Sequence, residues 1–183
     1  MKSIIAAACL SLGLAACQTT ITLPGYQPTS SQSLSGAMQD VKAVYTPPKG
    51  VKENQLRNTA VGIVLLTEPV ANYVANAFRL ELRSAGMRMG DGNCLMNLKV
   101  NDYATEDLGF NITYITDINY ELAVPTPAWR KNVRISFTTD KLMEVSLILA
   151  SIRDALAKNF DDVLRDAEFK SKIATYCRAA PAA

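Results

Sequence analysis

The sequence predicts an α+β fold: a two-layer sandwich in βαβββα order, with a four-stranded mixed sheet and two helices on one face. Three observations predict it. A strand-length apolar run is followed directly by an amphipathic helical stretch. The stretch 112–124 then alternates apolar and polar residues over the length of a long strand. Finally, residues 145–167 carry a second apolar stripe at helical spacing.

Taken in order, 61–66 (VGIVLL) is a continuous apolar run that reads as a strand buried on both faces. Thr67-Glu68-Pro69 follows, with Thr67 expected as N-cap and acid and proline in the first turn. Val70, Val74, Ala77 and Phe78 then fall on one helical face, and Gly86 is placed to end the helix as its left-handed residue. Asp91-Gly92-Asn93 makes a turn. Met96, Leu98 and Val100 alternate with Asn97, Lys99 and Asn101 in the next strand. Residues 106–111 are a hairpin connection around Gly109. The third strand follows, with Ile112, Tyr114, Thr116, Ile118, Tyr120, Leu122 and Val124 on one face. Residues 125–132 (PTPAWRKN) read as a loop, and Val133, Ile135 and Phe137 begin a fourth strand. Val145, Leu149, Ile152, Leu156, Phe160, Val163 and Ala167 trace the second helix. If the first two strands are parallel, the helix between them forms a right-handed crossover.

The N-terminus has a different character. Lys2, an apolar run over 4–14 and the small residues before Cys17 have the shape of a secretory signal peptide over residues 1–16. The run is too short to span a bilayer, which needs about 20 apolar residues. Leu14-Ala15-Ala16-Cys17 resembles a lipobox, which implies a diacylglyceryl group, with palmitate-type chains, on Cys17. An ordinary secreted protein cut nearby is the alternative. Gln18, in place of aspartate, points to the outer membrane by resemblance to enterobacterial lipoprotein sorting, with the domain facing the periplasm.

Residues 17–58 are rich in Thr, Ser, Gln, Pro and Gly and read as a lipidated flexible tether, with a reach of roughly 35 Å. Within it, 34–45 has the apolar positions to dock as a short strand or helix. Residues 59–178 are the expected globular domain, and 179–183 a disordered tail. After loss of the leader, Cys94 and Cys177 are the cysteines left besides Cys17. In an oxidising compartment they read first as a disulfide, the alternative being two separate buried thiols.

Composition narrows the chemistry. The chain has no histidine, which removes Ser-His-Asp and Cys-His catalysis and His-containing metal sites. No metal site, cofactor or phosphate-cradling glycine loop is expected, and no catalytic residue is assigned. The near-neutral charge balance gives no support for nucleic-acid binding. Adjacent Asp161 and Asp162 point about 100° apart on a helix and read as solvated surface. Trp129, beside Arg130 and Lys131, is the strongest candidate for contact with a partner or with lipopolysaccharide. Its alternative is a ring folded onto the sheet edge. Phe110, in the other hairpin tip, is a weaker candidate.

The stretches VGIVLL, EPVANYVANAFRLELRSAGM, LMNLKVNDY, the strands flanking PTPAWRKN, and IRDALAKNFDDVLRDAEF together resemble YajG-type and LptE-like outer-membrane lipoproteins and their transporter-auxiliary relatives. The resemblance covers about the last two-thirds of the chain and rests on apolar spacing and a glycine after the first helix. It implies a membrane-anchored accessory or scaffold subunit with an envelope protein partner. A binding module for lipid, lipopolysaccharide or peptidoglycan is the other expectation.

Overall fold

The computed structural model describes residues 20–58, 62–141 and 144–178. The leader, Cys17 and the tail 179–183 lie outside the described residues. The strands are β1 (Thr20–Thr22), β2 (Ala37–Tyr45), β3 (Arg57–Asn58), β4 (Ile63–Leu65), β5 (Arg88–Met89), β6 (Cys94–Asp107), β7 (Asn111–Val124) and β8 (Thr126–Asp140). The helices are α1 (Val70–Ser84), α2 (Val145–Arg165) and α3 (Ala167–Tyr176).

The architecture is the α+β sandwich, with helices on one face of a mixed sheet in the order β5-β2-β6-β7-β8. β3 continues the β2 edge, pairing with β6 at Ala104 and Thr105. β2 and β5 run parallel to each other and to β6, while β6, β7 and β8 form antiparallel hairpins. The alternation read in 112–124 becomes β7, with Ile112, Tyr114, Thr116, Ile118, Tyr120 and Leu122 all buried under the helices. Phe78 of α1 and Phe160 of α2 meet at 5.0 Å between ring centroids, and Tyr120 joins Phe78 at 5.6 Å. Each of these large side chains contributes about 1.5–3 kcal/mol by leaving water.

Four sequence expectations are corrected. The tether is the first: from Thr20 onward the described N-terminal residues belong to the domain. Leu23, Met38, Val41 and Leu56 are fully buried, and β2 is an inner strand of the sheet. The polar composition that reads as linker comes from a strap, residues 24–35, that crosses α1 and is fixed by hydrogen bonds together with the buried Leu34 and the Tyr26 ring on Phe160. Glu81 of α1 is buried and accepts from Ser30 N–H and Thr29 N–H at 2.9 Å each, and from the Tyr26 hydroxyl. Burial first, and then the bond to Glu81, pushes the Tyr26 hydroxyl well up.

Second, the described part of the 61–66 run, from residue 62 on, does not enter the main sheet. Its strand portion, β4, pairs in parallel with β1, so the crossover into β6 departs from β2. Third, Thr67 does not cap α1. Pro69 occupies the cap position, and the Val70 amide donates to the Glu53 carbonyl at 2.8 Å, so the segment between β2 and β3 satisfies one donor of the helix end. At the other end Gly86 ends α1 as expected, at φ 97°, with Met87 N–H donating to Leu82 O and Gly86 N–H to Arg83 O. Fourth, the last helix breaks in two. Asp166 leaves helical geometry and its carboxylate accepts from Phe169 N–H at 2.8 Å, starting α3.

Cys94 and Cys177 form the expected disulfide, with 5.2 Å between Cα atoms. It fastens the end of α3 to the start of β6, where Ala37 N–H also donates to the Cys177 carbonyl. Gly92 permits this junction, because a Cβ there would run into the Ala37 carbonyl of β2.

Candidate functional site

Residues 125–132 are not a loop. The β7–β8 turn is tight at Pro125, and Trp129 lies inside β8, opposite Leu122. Proline and a cation pair suggested a loop, but the alternation of 126–140 is a strand pattern whose apolar positions are filled by Trp129, Val133, Ile135 and Phe137. Trp129 is 5% exposed and packs on Phe169 of α3 at 4.8 Å between centroids. It is a core residue and not an exposed contact anchor. Lys131 sits on the same side and pairs with Asp166 at 3.0 Å and Asp162 at 3.3 Å. Burial disfavours its charge, but the hydrogen bonds it donates to these two carboxylates outweigh that and hold its pKa up. Only Arg130 of this triplet points to the other face of the sheet, where it pairs with Glu121 at 2.7 Å. Phe110 lies at the far end of β7, so it forms no patch with Trp129; it is 84% exposed.

The functional candidate that sequence reasoning missed is the face of the sheet away from the helices. Strand register brings polar side chains from four strands into rows. One row is Lys42, Asn97, Glu121 and Arg130; the next is Val44, Lys99, Asn119 and Asn132. These residues line a trough of about 540 Å³. Its neighbouring row is a hydrogen-bonded network centred on Asp117. Asn101 donates to this carboxylate at 2.9 Å, Asn132 at 2.8 Å and Arg134 at 3.3 Å. Asn132 also donates to Asn119 Oδ1 at 2.8 Å. Burial raises the Asp117 pKa, but these hydrogen bonds and the Arg134 charge outweigh it and hold the carboxyl below the usual aspartate range. Farther along, Arg57 lies over the same face and bridges Asp102 at 2.7 Å and Glu106 at 2.9 Å.

The trough floor is therefore held in one arrangement by cross-strand bonds, with its amide and charged groups already oriented. Lys42 and Lys99 carry the unmatched charge. Neither makes a hydrogen bond or ion pair among the described residues, although the Lys42 charge acts on Asp40, and Glu121 is the sole carboxylate among the lining residues. Val44 sits exposed among them as an apolar contact. The signal was present in the sequence as the polar half of each alternating strand, which reads equally well as solvated surface. Strand order is what assembles it.

Other singled-out groups are structural. Asp161 pairs with Arg165 and Asp162 with Lys131, so the two carboxylates face different partners. Arg79 pairs with Asp40 at 2.8 Å and Arg88 with Asp91 at 3.5 Å. Among the described residues no group of His, Cys, Asp and Glu is arranged to hold a metal ion, and no helix is long and apolar enough to cross a membrane.

No family model matches the chain, and no curated protein sequence does. Solved structures do. A Xanthomonas campestris protein of the DUF330 family aligns over 86% of this chain and 99% of its own, at 8% identity and a TM-score of 0.63. An uncharacterized protein aligns over 80% of this chain and 98% of its own, at 10% identity and a TM-score of 0.50. A minor lipoprotein from Acinetobacter baumannii aligns more loosely, over 78% of this chain and 98% of its own, with 8% identity and a TM-score of 0.40. At these identities, what the chain shares with the first two is the fold.

Proposed function

We propose that the chain is a non-enzymatic bacterial envelope lipoprotein, acylated at Cys17, held at the outer membrane and facing the periplasm. In this reading it is an accessory or scaffold subunit of an outer-membrane assembly or transport complex. The open sheet face docks a protein partner there. The observation that carries the reading is the trough. It is a rigid, hydrogen-bonded polar surface with unmatched lysines, on a sheet whose other face is fully used by the core. A partner surface presenting carboxylates and backbone groups is its chemical complement.

The leader, the lipobox-like Leu14-Ala15-Ala16-Cys17 and the Cys94–Cys177 disulfide support a compartment outside the cytoplasm. The resemblance in apolar spacing to YajG-type and LptE-like lipoproteins supports the same reading. A photo-crosslinking amino acid at Asn119, used in intact cells, tests it. Capture of one defined envelope protein from position 119, absent from the outward position Asp154 on α2 and lost with Lys99→Glu, supports docking. Equal labelling from both positions, or none from 119, counts against it.

A second reading follows from Lys42 and Lys99, whose free ammonium groups also suit phosphates of lipopolysaccharide or a peptidoglycan carboxylate. Saturable binding of purified lipopolysaccharide or muropeptide that Lys99→Glu abolishes favours this reading over a protein partner.

A further inference from the structure

Of the six exposed large apolar side chains among the described residues, Val44 lies in the trough and Tyr176 at the end of α3, and the other four gather in one place. Leu108 and Phe110, in the β6–β7 hairpin tip, are 61% and 84% exposed. Val145 and Leu147, in the first turn of α2, are 53% and 47% exposed. The chain path places all four at one end of the domain. β6 runs toward the tip, β7 runs away from it, and Lys141 N–H at the end of β8 donates to the Phe110 carbonyl. α2 runs alongside β7: Tyr103 donates to the Ile152 carbonyl, and Tyr120, farther from the tip, donates to Asn159. Val145 and Leu147 therefore precede Ile152 on the tip side.

The N-terminal chain arrives at this same end. β3 runs parallel to β6, with Arg57 level with Ala104. Gln55 and Leu65 pair antiparallel, so β4 runs away from the tip. β1 is parallel to β4, with Thr20 opposite Ile63. Thr20 therefore stands at the tip-side end of β1. Cys17 is three residue steps from Thr20, a reach of at most about 11 Å. From Ala104 to the end of β6 at Asp107 is three residues, or roughly 10 Å. Cys17 can thus reach the level of the hairpin tip but not far beyond it.

We infer that this end is a bilayer-contact surface, with Leu108, Phe110, Val145 and Leu147 entering the interfacial region of the leaflet that holds the Cys17 acyl chains. The inference rests on the reading of Cys17 as acylated, and it replaces a distant tethered domain with one seated on the membrane. The occupant is the apolar edge of a lipid surface rather than an anionic headgroup array. Asp140 and Glu144 flank the patch, and the ammonium of Lys141 is already paired with Asp107. The seating leaves the helix-free sheet face standing upright and open to the periplasm.

Trp129 supplies a built-in control, being the one tryptophan and packed at the opposite end of β7. The full chain, expressed with its own leader and purified from membranes, is placed in phosphatidylcholine vesicles with and without brominated acyl chains. Two versions carry their only tryptophan at the patch, Phe110→Trp or Leu147→Trp, each combined with Trp129→Phe. Brominated lipid is expected to quench position 110 and position 147 at least about twofold while leaving Trp129 of the unaltered chain unquenched. Leu108→Asp with Phe110→Asp is expected to relieve quenching at 147. The mass of the Cys17 peptide is read on the same samples. If it shows a bare thiol, the chain is coupled through Cys17 to a maleimide lipid and the quenching repeated, so the anchor and the seating are judged separately. Quenching at 110 and 147 no greater than at Trp129 in the anchored protein overturns the seating, whatever the mass shows.

Discussion

Replacing Glu81 by alanine is expected to unfasten the strap that sequence composition presents as linker. In the native fold the carboxylate accepts from two backbone amides, Thr29 and Ser30, at 2.9 Å and from the Tyr26 hydroxyl. Bonds to a charged acceptor contribute about 1.5–3 kcal/mol each, but the exposed Thr29 amide can turn to water once the carboxylate is gone. Burying the carboxylate also carries its own cost, which alanine removes. The balance is a loss of about 3 kcal/mol, or roughly 6–12 °C in melting temperature for a chain of this length. Thermal unfolding followed by circular dichroism reads the global effect. Native-state hydrogen exchange reads the local one: the amides of Thr29 and Ser30 should exchange much faster, while those of β7 follow only the global loss. Glu81→Gln, which places an amide where an acceptor is needed, should fall between alanine and the native residue. A loss under about 0.5 kcal/mol with unchanged protection at 29 and 30 would refute the strap as a structural element.

Three further outcomes follow from the core. Asn159 is buried, accepts from Tyr120 at 2.6 Å, and donates to Thr116 Oγ1 at 3.0 Å and the Val133 carbonyl at 2.9 Å. Asn159→Leu should lower stability by about 3–5 kcal/mol in urea unfolding, and pairing it with Tyr120→Phe should recover part of that loss. Cys94→Ala with Cys177→Ala should lower the unfolding free energy by about 4 kcal/mol, since the bridge spans a sequence separation of 83, and a loss under 1 kcal/mol would contradict its constraining role. Stability should fall at both pH extremes. Asp117 and Asp166 are held below the ordinary value of 3.8, so their contribution is complete above it and drains as pH falls through their lower folded values. Burial pushes Tyr73 up to about 12 and raises Tyr103 and Tyr120 as well. Their contribution is complete below pH 10 and is lost as pH rises above it, which a pH series of urea midpoints should show as decline on both sides.

The sequence made the periodic elements legible. Alternation in 112–124 and the stripe in 145–165 needed only local side-chain spacing, and both became elements close to the expected bounds. Elements set by long-range pairing were not legible. β2 has the apolar positions of a docked strand or helix, but its place inside the sheet, between β5 and β6, is set by pairing with residues some fifty positions away. The strap is held by Glu81, some fifty residues away, and no local pattern marks a glutamate as buried. Trp129 misled because proline and two cations imitate loop chemistry, whereas register against β7 decides the matter. The disulfide was readable by counting cysteines. The trough was not, because its residues lie on four strands and each alone is an ordinary polar position.

Mass spectrometry of the mature N-terminus bears most directly on the lipoprotein reading. The chain, expressed with its leader in a Gram-negative bacterium and extracted from its membranes, is expected to begin at Cys17 and to carry the added mass of a diacylglyceryl group and an amide-linked acyl chain. A bare Cys17 thiol, or a chain still carrying residues 1–16, would contradict it.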